Sequence, residues 1–152
     1  LLEARGFTAE DFARSHPGGR LGRRLLLLLD DVMHVGAQIP RSAPDDPLKD
    51  ALLEMSRKGL GTTVVVDEAE RVLGVFTDGD LRRALDRQVD IRAARVAEVM
   101  TRACKTIAPG TLAAEALRMM QQHKINALPV VDATGALVGV LNMHDLLRAG
   151  VL

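Results

Sequence analysis

The chain has neither tryptophan nor tyrosine, only three phenylalanines, and a formal net charge of zero across 152 residues. Proteins that hold single-stranded nucleic acid stack its bases on aromatic rings along a positive groove. The composition therefore argues against a nucleic-acid partner, and any bound base would rest on aliphatic side chains. Cysteine is scarce as well. Cys104 stands alone, so no internal disulfide or cysteine metal cluster can form, which fits a reducing cytoplasm. Its plainest reading is a small apolar filler. Long apolar runs are also missing: Leu25 to Leu29, behind Arg23 and Arg24, is the longest, far short of the ~20 residues that span a bilayer. A cytoplasmic protein with no membrane partner is expected. The chain opens Leu1-Leu2-Glu3 with neither an initiator Met nor a signal pattern, and reads as a piece with residues upstream.

What is present is the balance of a globular protein, with 47% apolar and 26% charged residues and enough length to bury a core. The dominant feature is an internal repeat. Ala43 to Arg83 aligns without a gap on Ala108 to Arg148, 65 residues on. Pro44 meets Pro109, Ala51-Leu52 meets Ala116-Leu117, and Val65-Val66-Asp67 meets Val130-Val131-Asp132. Gly74-Val75 meets Gly139-Val140, and Asp80-Leu81 meets Asp145-Leu146. A Val-Met pair at Met33 returns at Met100, with a spacing that differs by two residues.

In each unit Leu48, Leu52, Met55 or Leu112, Leu117, Met120 recur at helical spacing, which predicts an amphipathic helix opened by Asp46-Pro47 or Gly110-Thr111. Two strands are predicted next: Thr63 to Val66 and Val72 to Phe76 around a turn at Asp67 to Glu70, then Pro129 to Val131 and Leu137 to Leu141 around Ala133-Thr134-Gly135. Helices near Gly79 to Arg87 and His144 to Ala149 close the units. The expected fold is α/β (α+β), two units of strand-helix-strand-strand-helix packed with pseudo-two-fold symmetry, because one such unit buries little surface alone. Leu1 to Leu29 has no copy; Thr8 with Asp11 resembles a helix cap, and Pro17-Gly18-Gly19 ends that helix.

Chemistry concentrates where a strand runs into a helix, at G-V-F-T-D-G-D, Gly74 to Asp80, echoed by G-V-L-N-M-H-D, Gly139 to Asp145. Thr77 with Asp80 three residues later is a capping pattern, and Asn142 with Asp145 repeats it. The same junction presents free N–H groups to phosphate, and an ionised Asp has two oxygens for neighbouring ribose hydroxyls. Capping and ligand binding are compatible roles. Arg82 and Arg83 read first as a solvated face and second as phosphate contacts. His34, His123 and His144 lack the close pairing of metal ligands, so neither a metal nor a cofactor is assigned.

The duplicated pattern of hydrophobic-hydrophobic-Asp, then Gly-hydrophobic-hydrophobic-Thr-x-x-Asp, resembles a pair of CBS domains, a Bateman module, over about residues 32 to 150. The resemblance implies that Asp holds ribose, Thr approaches phosphate, and the base lies between the first strand and the start of the middle strand. Carried over, one site takes Ser42, Ala43, Gly61, Thr62, Thr63, Thr77 and Asp80, and the other Thr106, Ile107, Asn126, Ala127, Leu128 and Asp145. At the second, Asn142 replaces the family's Thr or Ser, and Met143 and His144 are bulkier than Asp78 and Gly79. F-A-R-S-H-P-G-G-R-L-G-R-R-L-L, Phe12 to Leu26, together with the ending M-H-D-L-L-R-A-G-V-L, resembles the arabinose 5-phosphate isomerase family, which joins a sugar isomerase (SIS) domain to a CBS pair. This implies residues 1-31 as the SIS remnant and linker, 32-90 as the first CBS repeat and 91-152 as the second. It implies a regulatory role for an enzyme that makes arabinose 5-phosphate from ribulose 5-phosphate for Kdo and lipopolysaccharide, with a nucleotide or nucleotide-sugar such as CMP-Kdo or AMP as ligand. Implied partners are the chain's own SIS domain, a homodimer through the CBS pair and a homotetramer of the parent. His16 inherits a part in the isomerase site on resemblance alone; by its residues it is a loop histidine. A single His cannot supply the base and the sugar-opening groups of aldose–ketose exchange, so this piece is not expected to be the whole enzyme. Alternatives are an oligomerisation scaffold with unoccupied sites and an adenine-nucleotide energy sensor.

Overall fold

The computed structural model describes residues 27–151; His16 and the Thr8–Asp11 cap lie outside them. The order is β1 (Arg41–Ser42), α1 (Leu48–Lys58), β2 (Thr62–Val66), β3 (Val72–Thr77), α2 (Asp78–Asp86), α3 (Val96–Val99), β4 (Thr101–Arg102), α4 (Ala113–His123), β5 (Ala127–Val131), β6 (Leu137–Asn142) and α5 (Met143–Arg148). It is a mixed α/β fold in which the strand-helix-strand-strand-helix unit occurs twice, Ile107 standing for the first strand of the second unit through a parallel bridge to Val130.

Of the predicted apolar stripes, Leu48 and Met55 on α1 and Leu117 and Met120 on α4 are buried, joined by Ala51, Ala113 and Ala116, while Leu52 is only partly buried and Leu112 is exposed just ahead of α4, whose first turn begins at Ala113. Neither helix is opened by a side-chain cap. They end alike, with Gly59 at φ 71° and Lys124 at φ 56° in left-handed conformations. The hairpins also match, since Asp67 Oδ1 accepts from the N–H groups of Ala69 and Arg71 and Asp132 Oδ1 from those of Thr134 and Ala136. Such an Asx turn satisfies the loop's donors locally.

The units exchange their leading segments. Strand β4, which precedes the second unit, pairs with β3 of the first through Gly74↔Arg102 and Val75↔Thr101. In return His34, ahead of the first unit, bridges Val140 on β6 of the second. The cores follow the same exchange. Ala94, Val96 and Val99 pack with Leu48, Met55, Val65 and Phe76, while Leu29 packs with Ile107, Leu117, Met120, Leu128 and Leu146. Each fully buried Leu or Phe of these clusters contributes on the order of 1.5–3 kcal/mol, so neither unit has its full core without chain that leads into the other. Gly74 is where a leading segment crosses most closely. A Cβ there would lie 2.2 Å from the Thr101 carbonyl oxygen, which no side chain tolerates.

Between the units Ile39, Val64, Val66, Leu137 and Val140 form a third apolar cluster. Beside it Arg71 and Ala136, equivalent residues of the two repeats, form an antiparallel bridge. Val72 N–H donates to the Gly135 carbonyl at 3.4 Å, and Leu137 N–H to the Glu70 carbonyl at 2.9 Å. A bond and its counterpart under exchange of the repeats define a two-fold relation, so the pseudo-axis passes between Arg71 and Ala136.

Candidate functional site

At the first strand-to-helix junction Thr77 and Asp80 form a reciprocal capping box. Asp80 N–H donates to Thr77 Oγ1 at 3.3 Å, and Thr77 N–H to Asp80 Oδ2 at 2.9 Å. The carboxylate is 4% exposed, a position that a charge holds only when well supplied with donors. They are present: Arg83, one turn on, donates to Oδ1 at 2.6 Å, and Thr101 Oγ1 on β4 donates to the same oxygen at 2.6 Å. Arg83 therefore does more than solvate a helix face. Asp80, Arg83 and Thr101, with Asp86, Arg87, Val99 and Met100, line an open cleft of about 340 Å³.

Around that junction Thr62 stands opposite Thr77 in the β2–β3 register, and the Gly61 carbonyl accepts from Asp78 N–H at 3.3 Å. Gly61, Thr62, Thr77 and Asp80 thus share one end of the sheet. Thr62 and Thr63 are buried, with Thr62 Oγ1 donating to the Phe76 carbonyl at 3.4 Å. Ser42 is buried on β1 with its hydroxyl 2.8 Å from that of Thr63. Ala43 is exposed in the turn that follows, its N–H donating to Asp46.

The second junction keeps the frame and changes the partners. Asn126 places its carbonyl to accept from Met143 N–H at 2.9 Å, as Gly61 does from Asp78. Ala127 stands opposite Asn142 in the β5–β6 register. Thr106 is half-buried, and Ile107 and Leu128 are buried in the core of this unit. The capping pattern is only half repeated, which corrects the expected likeness. Asn142 Oδ1 accepts from His144 N–H at 2.8 Å, but Asp145 turns away from the cap. Its two oxygens engage His34 Nε2 and the Arg148 guanidinium. Burial pushes the Asp145 carboxyl up, and the hydrogen bonds and positive charges of His34 and Arg148 outweigh that and hold it below the usual carboxylate range.

Thr101 and His34 were not singled out by the sequence, yet each sits on one of the two carboxylates. The signal was the Val-Met pair returning with its own spacing, since Thr101 and His34 directly follow Met100 and Met33. Among the described residues no group of three or more His, Cys, Asp or Glu is placed to hold a metal ion, and no helix is long and apolar enough to cross a membrane. Cys104 is half-buried, and burial pushes its thiol up and away from the reactive thiolate.

Comparison with known proteins agrees with this geometry. The CBS domain family model matches residues 38–87 and 96–152. The chain is 62% identical over all 152 residues to arabinose 5-phosphate isomerase KdsD of Pseudomonas aeruginosa, covering 47% of that protein. It is 55% identical, again over its whole length, to the enzyme of the same name from Escherichia coli K12, covering 46%. The chain thus spans about half the length of these curated relatives. Among solved structures, CBSX2 of Arabidopsis thaliana in complex with AMP has a TM-score of 0.70 at 26% identity, over 82% of this chain and 96% of that one. Two repeats of one unit, each ending in a carboxylate at a strand-to-helix junction, and a family match that covers both, establish that the chain belongs to the CBS domain family as a tandem pair.

Proposed function

We propose that the chain is the regulatory, ligand-binding CBS pair of an arabinose 5-phosphate isomerase, the enzyme that turns ribulose 5-phosphate into arabinose 5-phosphate for Kdo and lipopolysaccharide synthesis. The observation that carries this reading is the 62% identity extending over the whole chain rather than over the CBS motifs alone. In the full-length protein the pair works on its own SIS domain, to which His16 belongs, within a homotetramer that dimerises through the CBS pairs.

The ligand in this reading is a nucleotide or nucleotide-sugar. The ribose hydroxyls would be held by Asp80, and phosphate by Thr77 at the N-terminal end of α2. The related pair CBSX2 holds AMP, and end-product control of the pathway points to CMP-Kdo. A thermal-shift screen of the chain with AMP, ATP, CMP and CMP-Kdo tests the reading, because a ligand that binds only the native state raises the melting temperature. A rise with at least one of them, reduced in Asp80→Asn, is expected.

A second reading has its own support. Both carboxylates already hold protein donors, Arg83 and Thr101 on Asp80, His34 and Arg148 on Asp145. In this reading the pair is a scaffold whose Asp residues fasten its two units together, and no nucleotide shifts the melting temperature.

A further inference from the structure

The two carboxylates are fastened at the same place by chemically different side chains. On Asp80 the leading segment of the other unit contributes Thr101, a hydroxyl that does not titrate near neutrality. On Asp145 it contributes His34, an imidazole that can take up a proton and carry a charge. His34 is held in position by its main chain, with His34 N–H donating to the Val140 carbonyl at 2.9 Å and Val140 N–H donating back at 3.1 Å. The side chains of His34 and Asp145 are 27% and 11% exposed, so the contact is partly screened from water.

The geometry points to a proton-dependent clasp: protonated His34 fastens the segment leading into the first unit onto the Asp145 carboxylate of the second, and loss of the proton loosens that segment. Arg148, on Asp145's other oxygen, stays cationic throughout. Strand β6, which His34 pairs against, carries no ionisable residue. On the leading segment, Asp31 is taken up by Leu28 N–H and Asp30 by Gly110 N–H. His144, beside Asp145 on α5, is exposed and engaged through its main-chain N–H by Asn142.

The sign follows from the two partners. Asp145 keeps its charge to lower pH than an ordinary carboxylate, and a proton on the imidazole adds a positive charge to the contact, which is stronger with that proton than without it. The clasp is therefore closed in mildly acidic solution and open in alkaline solution, while the Thr101–Asp80 contact is the same in both. The clasp also uses the Asp145 carboxylate, which the family resemblance places at the second site. On the proposed nucleotide reading, which this consequence rests on, a nucleotide at the second site gains affinity as pH rises and the first site does not.

Thermal unfolding of the 152-residue chain at pH 5.5 and 8.5 tests the clasp without any ligand. His34→Gln, which keeps an amide donor and loses the charge, is expected to lower the melting temperature by roughly 2–4 °C at pH 5.5 and by less than about 1 °C at pH 8.5. In an Asp145→Asn background the same substitution should show no such difference between the two pH values. His34→Thr, which places at this site the side chain used at the other, should remain folded and lose the pH dependence. Equal effects of His34→Gln at both pH values, or an undiminished pH dependence in the Asp145→Asn background, would overturn the clasp. AMP titration of the wild-type chain at both pH values separates the two ideas: no binding at either pH sinks the nucleotide reading, while the unfolding data decide the clasp.

Discussion

The side-chain amide of Asn142 reaches out of the second unit and donates to the main-chain carbonyl of Leu60 in the first, at 3.0 Å. The same side chain accepts from His144 N–H and opens α5, so one buried amide serves both a helix end and the joint between the units. Asn142→Ala removes a cap and leaves a carbonyl at the joint without its donor, and should cost about 2 kcal/mol in urea unfolding. Asn142→Thr, the residue of the other unit, keeps a capping oxygen and loses only the bond to Leu60. About half that loss is expected.

Lys124 holds the left-handed position that Gly59 holds in the first repeat. A side chain there costs roughly 1 kcal/mol relative to glycine. Lys124→Gly should therefore stabilise the chain by about 0.5–1 kcal/mol, seen as a rise in the urea midpoint with an unchanged slope. A lowered midpoint would show that the lysine side chain contributes more than its backbone costs.

Cutting the chain near Asp90 should unfold both halves. The first half would lose Ala94, Val96 and Val99 from its core together with β4, and the second would lose Leu29 from its own. Separate NMR spectra of the two pieces should show the narrow dispersion of unfolded chains. Well-dispersed spectra from either piece alone would mean that its core closes without the exchanged segment.

Ligand affinity should depend on Asp80 more than on Asp145, because the first site keeps Thr77 and small neighbours at Asp78 and Gly79. On the proposed nucleotide reading, Asp80→Asn would give up a charge-assisted bond to ribose and should weaken AMP binding by ~1.5–3 kcal/mol, with Asp145→Asn doing less. Since Asp80 also closes the capping box, calorimetric titration must be paired with the unliganded melting temperature of each variant. Equal losses would indicate two comparable sites.

Much of the fold was legible because each signal was local and appeared twice. The apolar spacing of Leu48 to Met55 and of Leu117 to Met120, the turn carboxylates Asp67 and Asp132, and the Thr77–Asp80 box each declare themselves within a few residues. The exchange of leading segments was not legible. Strand β4 is two residues long, too short to show alternation, and the partner of His34 lies 111 positions away. The half-lost cap at Asp145 was hidden for the same reason. Asn142-x-x-Asp145 reads as a capping pair until a histidine from the far end of the described chain competes for the carboxylate.

The bridge between Arg71 and Ala136 carries a consequence for how such a chain can diversify. A contact on a symmetry axis joins a surface to its own likeness, so an undivided ancestor with one unit could have paired with a second molecule through the same edge. Fusion of the two copies frees each from having to match the other away from the axis. Threonine at 77 against asparagine at 142, and histidine at 34 against threonine at 101, are differences of that kind. The body stays a matched pair while its two strand-to-helix junctions are at liberty to differ.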